Sequence, residues 1–335
     1  MRIGIDLMGS DSSPHTLFEA ILQASMELDP DNITLVVIAT HSVVTDLKQS
    51  HHAFLSRPNT ARIEFHPVAD SITMCEEPIY AVSHKVGSSL VVGIRQLKKQ
   101  RLDAFVSAGN TGALIASATL QLPRLPGIQR PALLVVLPTL SGSVAVLDVG
   151  GSVSCKAHHL VQFANLGAAF QSCSSDIAIP RIGLLNIGVE AKKGTSTVRQ
   201  AYQMLKEQSS FPMHFLGNVE GKDLFLGGID VLVTDGFTGN VLLKTTEGVS
   251  SFIFDYLQEA IYNKSSSEVS EAFHEIKRFF NYAEYPGAIV CGIERIVIKC
   301  HGHSSVKAMF NGIKGAVHLV KQDVISRIKA KLSNV

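Results

Sequence analysis

Short runs of β-branched and apolar residues alternate along this chain with longer segments whose apolar positions recur at helical spacing. The runs predict strands at Arg2–Asp6, Ile33–Ala39, Ala61–Phe65, Asp103–Ser107, Leu133–Leu137 and Val144–Leu147. Further strands are predicted at Arg181–Asn186, Met213–Leu216, Ile229–Thr234 and Ile296–Lys299. Between them the pattern predicts helices at Pro14–Leu28, Ser42–Gln49, Thr111–Leu122, His158–Gln171 and Thr197–Glu207. Longer helices are expected at Ile79–Gln100, with Gly87 as its weak point, and at Gly239–Ala260, Ser267–Phe280 and Ser305–Lys331, while His51–Thr60 reads as loop. Strands alternating with amphipathic helices imply right-handed crossovers and a mostly parallel sheet covered on both faces. The expected fold is therefore an α/β three-layer sandwich. No linker rich in Pro, Gly or Ser interrupts it, so a single domain is expected over 1–335. The polar stretch Asn263–Ser267 between two helices predicts a helical hairpin projecting from the sheet.

Composition narrows the class. Of 335 residues, 46% are hydrophobic and only 18% charged, which suits a chain with a large buried core. Thirty basic residues against 29 acidic ones leave a net charge of +1, so no global field recruits nucleic acid. No apolar run reaches the roughly 18 residues of a membrane span, and Asp6 stands where a signal peptide needs apolar residues. Five cysteines, odd in number and far apart, argue against a disulfide framework or a structural zinc site. A reduced cytoplasmic protein without metal or cofactor is the expectation.

Three strand-to-helix turns are rich in small hydrogen-bonding residues: Met8–Pro14, Ser107–Gly112 and Asp235–Asn240. Ligands of open parallel sheets bind beyond the carboxyl ends of the strands, where helix N-termini present amide groups and a positive dipole end. Such turns suit phosphate, although the same residues are ordinary turn and N-cap formers. The second and third turns share a design, since Asp103–Gly112 and Asp230–Gly239 each run as strand, turn with two glycines and a threonine, then apolar helix. A fourth segment, Gly183–Gly194, adds Asn186 at a strand end and Glu190, Lys192 and Lys193 in the following loop. A lysine there can neutralise phosphate or simply be solvated. None of these turns carries a dinucleotide or P-loop fingerprint, and no Gly-x-Ser-x-Gly elbow is present. His301-Gly-His303 follows a strand and opens the last helix, so it is a candidate to line the same crevice.

Taken in order, the motifs Asp6-x-Met-Gly-x-Asp11-x-x-Pro14, Ser107-Ala-Gly-Asn-Thr-Gly-Ala113, Arg130-Pro-Ala132, Leu147-Asp-Val-Gly150 and Gln162-Phe-Ala164 are followed by four more. These are Gly183-Leu-Leu-Asn-Ile-Gly188, Gly217-Asn-Val-Glu-Gly221, Asp235-Gly-Phe-Thr-Gly-Asn-Val241 and Glu284-Tyr-x-Gly-Ala288. Over nearly the whole chain this series resembles the bacterial phosphate acyltransferase family, the acyl-acyl carrier protein:phosphate acyltransferases of phospholipid synthesis.

The resemblance implies transfer of a long-chain fatty acyl group from acyl carrier protein to inorganic phosphate, giving acyl phosphate. It also implies a fold similar to phosphotransacetylases and isocitrate/isopropylmalate dehydrogenases, a homodimer, and a cytoplasmic protein associating peripherally with the membrane. The acyl phosphate would pass to a membrane-bound glycerol-3-phosphate acyltransferase. Lys193, Asp235 and Asn240 are then the expected catalytic residues. Phosphate and substrate binding would involve Asp6, Gly9, Asp11, Ser107, Gly109, Asn110, Thr111, Gly112, Asn186, Glu190, Gly236, Thr238 and Gly239. Asp235 would orient its turn or handle a proton. The chain departs from the family pattern at Ser10, Ser83, Ser152 and Val189, which receive no role. The segment at about 249–283, with Phe252, Phe254 and Leu257, is expected either to pair two copies or to face a bilayer. Two other readings share the fold: an acyl-coenzyme A:phosphate acyltransferase like the phosphotransacetylases, and a β-decarboxylating dehydrogenase.

Overall fold

A computed structural model describes residues 1–208, 211–262 and 287–333. Strands β1 to β11 follow one another along the chain. The first four are β1 (Arg2–Asp6), β2 (Thr34–Thr40), β3 (Arg62–Val68) and β4 (Ala104–Ser107). Then come β5 (Ala132–Thr139), β6 (Gly142–Leu147), β7 (Arg181–Leu185), β8 (His214–Val219) and β9 (Val231–Val233), with β10 (Ala288–Cys291) and β11 (Ile296–Lys299) last. The chain divides into two compact units, Met1–Pro131 with Pro286–Asn334, and Ala132–Tyr285.

In the first unit the strands run in the order β3-β2-β1-β4-β11-β10. Neighbours are parallel, except that β10 and β11 form an antiparallel pair. Every residue of β4 is buried, as are Ile3 to Asp6 of β1, so both faces of these strands are covered. Helix Ser89–Lys98 packs on β1, β2 and β4, whereas helix Val306–Lys321 packs on β1, β4 and β11 and against helix Pro14–Glu27. Ser13 caps the latter by accepting from the Thr16 amide at 3.1 Å, and Pro14 occupies its first turn.

The second unit has the order β5-β6-β9-β7-β8, with β5 and β6 antiparallel and the other neighbours parallel. Helix Ala157–Ser174 packs on β6, β7 and β9 and against helix Ser196–Glu207. The mixed, mostly parallel α/β architecture is the one the alternating pattern predicts.

Differences from the sequence expectation have local causes. The expected helix Ile79–Gln100 is broken into Pro78–His84 and Ser89–Lys98, because Ser88 adopts an extended N-cap conformation and bridges to Asp70. The last helix breaks at Asp323, a non-glycine residue with φ +48°, into Val306–Lys321 and Val324–Ser333. The expected loop at His51–Thr60 contains the short helix His52–Leu55. Strand β10 was given no counterpart by the pattern, since its Ala-Ile-Val-Cys run is too short to show a period. Helix Gly236–Tyr262 begins three residues earlier than the predicted Gly239. The predicted Ser267–Phe280 helix, and with it the second arm of the hairpin, lies outside the described residues. No helix of the described residues is long and apolar enough to cross a membrane.

One packing contact decides how closely helix Ser89–Lys98 approaches the sheet. A Cβ on Gly93 would collide with the fully buried ring of Phe105 on β4. Gly93→Ala gains about 1 kcal/mol of helix propensity but overpacks a rigid aromatic contact, at about 1–3 kcal/mol. We expect a net loss of stability, seen as a lower urea midpoint at unchanged slope.

Candidate functional site

At the carboxyl ends of the first unit's strands, Asp6, Ser107 and Lys299 stand in lateral register on β1, β4 and β11. All three are buried. Asp6 Oδ2 accepts from the Ser107 hydroxyl at 2.9 Å and Oδ1 from the Met8 amide at 3.0 Å. Ser107 Oγ in turn accepts from the Gly109 amide at 3.1 Å. Lys299 donates to the carbonyl of Ala108 at 3.3 Å and to that of Cys300. Burial pushes the Asp6 carboxyl up to about 6, against the lowering effects of the Met8 amide, the Ser107 hydroxyl and the Lys299 charge.

The Met8–Pro14 turn is laced to the segment after β11. Ser10 Oγ and the Asp11 amide both donate to the Gly302 carbonyl, at 2.7 and 3.0 Å, and Ser12 Oγ donates to the Ser304 carbonyl at 2.9 Å. The Asp11 carboxylate lies 3.1 Å from His303 Nδ1, and Gly9 adopts φ +68° with its α-carbon against the Ile72 carbonyl. His303, noted for its position after a strand, thus joins the first turn. Asn110 caps helix Thr111–Gln121 by accepting from the Ala113 amide at 3.0 Å. Its side-chain nitrogen donates to the carbonyls of Thr73, Met74 and Glu76 at 3.1–3.2 Å. The side chain expected at a phosphate is therefore committed to holding the 73–76 loop. Gly112 is small for a related reason, since a Cβ there would meet Pro78.

In the second unit a fully buried carboxylate, Asp148, follows β6. Its Oδ1 accepts from the amides of Leu133, Gly150 and Gly151 at 2.9, 3.2 and 2.7 Å. Among the described residues, Oδ2 and the buried Ser152 hydroxyl make no hydrogen bond of normal geometry. Burial raises the Asp148 pKa, and the three amides and the neighbouring Ser152 hydroxyl oppose the shift. Against this loop starts helix Gly236–Tyr262, where the Gly236 amide donates to the Ser152 carbonyl at 2.9 Å. A Cβ on Gly239 would collide with the Asp148 carbonyl, so the two glycines of this turn serve backbone packing.

Asp235 precedes that helix, and both its oxygens are used, accepting from the Thr238 amide and the Thr238 hydroxyl at 2.8 Å each. The carboxylate therefore orients its own turn. Thr238 and Asn240 are exposed, and Asn240 lies beside Gly150. Asn186 bridges the 186–194 loop, donating to the Lys193 carbonyl at 3.1 Å and accepting from the Ile187 amide at 2.8 Å. The Glu190 carbonyl accepts from the Lys193 amide and from Asn218, at 3.0 and 2.9 Å. The side chains of Lys193 and Asn240 are exposed and make no ion pair or hydrogen bond among the described residues. A cavity of about 440 Å3 opens in this unit, bordered by Asn186, Gly194, Asp235 and Thr238 and by several aliphatic residues.

The structure thus gathers Asp6, Gly9, Ser107 and Gly109 in one cluster, with Asp11 tied beside it to Gly302 and His303. A second cluster holds Asn186, Asp235 and Thr238 around the cavity, with Gly236 and Gly239 packed on the Asp148 loop. The sequence pattern assigns no role to Lys299 or Asp148. The signal for Lys299 was a charge closing the apolar run Ile296–Lys299, and for Asp148 an acid between an apolar strand and two glycines. Among the described residues no three His, Cys, Asp or Glu gather as a metal site.

The family described as "Fatty acid synthesis protein" matches residues 1–327. The chain belongs to that family. Among its relatives, a protein named phosphate acyltransferase from Chlamydia abortus is 40% identical over 334 residues, covering 99% of each chain. Another of that name, from Thermoanaerobacter pseudethanolicus, is 38% identical, covering 100% of this chain and 98% of the relative. In fold the chain is similar to the EutD phosphotransacetylase from Staphylococcus aureus, with TM-score 0.57, 15% identity, and coverage of 95% of this chain and 94% of that one. A branched-chain phosphotransacylase from Enterococcus faecalis V583 superimposes at TM-score 0.56 and 12% identity, over 96% and 99% of the two chains.

Two outcomes follow for this fatty acid synthesis family member. With its pKa raised to about 6 from 3.8, Asp6 holds a proton in the folded state that the unfolded chain has lost between those values. Its contribution to stability is full below about 4 and declines as pH rises through about 6. Urea unfolding should therefore show the difference between the native protein and Asp6→Asn shrinking over that window; a flat difference would refute the shift. Asp235→Ala should lose about 1 kcal/mol with its cap, whereas Asp235→Asn, an equally good cap, should keep the native midpoint.

Proposed function

We propose that this protein transfers an acyl group from a thioester to inorganic phosphate, releasing acyl phosphate and the free thiol. The observation that carries the reading is 40% identity, over 99% of both chains, to a relative named phosphate acyltransferase. In the reaction a phosphate oxygen attacks the thioester carbonyl, a C–O bond forms, the C–S bond breaks and the thiolate leaves. Phosphate is the nucleophile, so no serine or cysteine need be activated. The protein must hold an anion at near-attack distance and stabilise the oxyanion that develops.

Lys193 and Asn240 suit these tasks, because their side chains, on the 186–194 loop and near the start of helix Gly236–Tyr262, are exposed and uncommitted among the described residues. Lys193 supplies positive charge for phosphate, and Asn240 supplies an amide donor for phosphate or the oxyanion. Asp235 keeps Thr238 and the helix start in place. Acyl carrier protein is the donor that the sequence resemblance implies, and a coenzyme A thioester is the alternative with the same chemistry. Pairing of two copies is supported by Val249, Phe252, Ile253 and Tyr256, large apolar residues left exposed on helix Gly236–Tyr262.

Incubation with palmitoyl-acyl carrier protein, or palmitoyl-coenzyme A, plus phosphate and hydroxylamine should give palmitoyl hydroxamate at a rate that depends on phosphate. No phosphate-dependent product from either donor would refute the proposal. Lys193→Ala should raise the phosphate KM by about 10-fold or more, the scale of one charge-assisted hydrogen bond.

A further inference from the structure

The cavity in the second unit has walls from four separate elements. Leu160 comes from helix Ala157–Ser174, Leu184 and Leu185 from β7, Val198 from helix Ser196–Glu207, and Val241 and Leu242 from helix Gly236–Tyr262. Leu160 and Leu184 are at most 1% exposed and mark its depth. Ile187 and Val241 line it too, yet are 80% and 51% exposed, leaving large apolar surface in water at the mouth. Its polar residues include Asn186, Asp235 and Thr238, and its rim includes Gly194, next to Lys193. A volume of about 440 Å3 falls among small-molecule sites, which are apolar concavities with a few polar groups that fix orientation.

We propose that this cavity seats the hydrocarbon chain of the acyl donor and sets the chain length the protein accepts, an inference that rests on the acyl-transfer reading. A flexible alkyl chain asks only for apolar walls, which the leucine and valine side chains provide. Asn186 lies in the 186–194 loop that carries Lys193, and Asp235 and Thr238 lie at the start of helix Gly236–Tyr262, which carries Asn240. A chain lodged against the leucines would bury the exposed faces of Ile187 and Val241, removing the apolar surface now left in water.

Val241→Phe and Val198→Phe fill the cavity from different helices. Each methylene kept out of an apolar site forfeits about fourfold in binding, so either variant should cut the palmitoyl-over-butyryl ratio of kcat/KM at least about 10-fold. A second measurement needs no substitution: S-alkyl-coenzyme A thioethers of increasing length, tested as inhibitors of the native protein, should tighten about fourfold per methylene until the cavity is full. Phosphate-dependent hydroxamate with an unchanged ratio in both variants, or an inhibitor series indifferent to length, overturns the chain site while leaving acyl transfer standing. No phosphate-dependent hydroxamate from the native protein with either donor overturns the acyl-transfer reading, and this inference with it.

Discussion

A carboxylate buried where a strand ends must be met by hydrogen-bond donors, because an uncompensated charge in the interior costs several kcal/mol. Each unit of this protein is organised around one such group. In the first, Asp6 at the end of β1 draws in the Met8 amide and the Ser107 hydroxyl, and through Ser107 the Gly109 amide. In the second, Asp148 after β6 draws in the amides of Leu133, Gly150 and Gly151. Each acid thus fixes the glycine-rich backbone beside it. The Gly109 turn follows β4, the neighbour of β1, and the helix packed on Asp148 follows β9, the neighbour of β6. The similarity of Asp103–Gly112 to Asp230–Gly239 has this basis: both are strand-to-helix turns seated on a buried acid from the adjacent strand.

This arrangement explains the doubled glycines better than close approach to a ligand does. Gly112 makes room for Pro78, and Gly239 for the Asp148 carbonyl. The caps are equally occupied. Asn110 uses its oxygen on the Ala113 amide and its nitrogen on three carbonyls, and Asp235 spends both oxygens on Thr238. The turns that look most like anion sites in the sequence are rigid because their polar groups bind one another. Their rigidity is still useful, since a reacting anion is positioned best by groups mounted on a fixed frame.

The fold was legible because its signals are local and repeated. Apolar runs such as Ala-Phe-Val-Ser in β4 are buried on both faces, and the helices between them carry regular apolar stripes. What stayed illegible depends on neighbours distant in sequence. The break before Ser89 is set by the bridge from Ser88 to Asp70, and the burial of Lys299 by strand β4 and the Ala108 carbonyl after it, far earlier in the chain. Lys193 and Asn240 were legible as candidates from residue type and position, but that their side chains have no partner among the described residues is visible only in the folded structure. Asp148 shows the converse, since its motif stands in the sequence while its role depends on amides supplied by Leu133 and two glycines.

The division between committed and uncommitted groups constrains the chemistry. A phosphate dianion carries several oxygens to satisfy, and amides already bonded to Asp6, Asp148 or Asp235 have no hydrogen left for it. On the proposed reading, stabilisation comes from donors outside those networks, such as the ammonium of Lys193, the carboxamide of Asn240 and any free amide of a helix's first turn. Flexible side chains lose entropy when they close on an anion, which a buried amide cradle would avoid, but they can also release a product that still carries its phosphate. On the proposed acyl-transfer reading, the acyl phosphate has to leave. In the proposed site, binding by exposed side chains over a rigid frame, with the hydrocarbon held by dispersion and desolvation alone, is a compromise between holding the reactants in line and letting the activated product go.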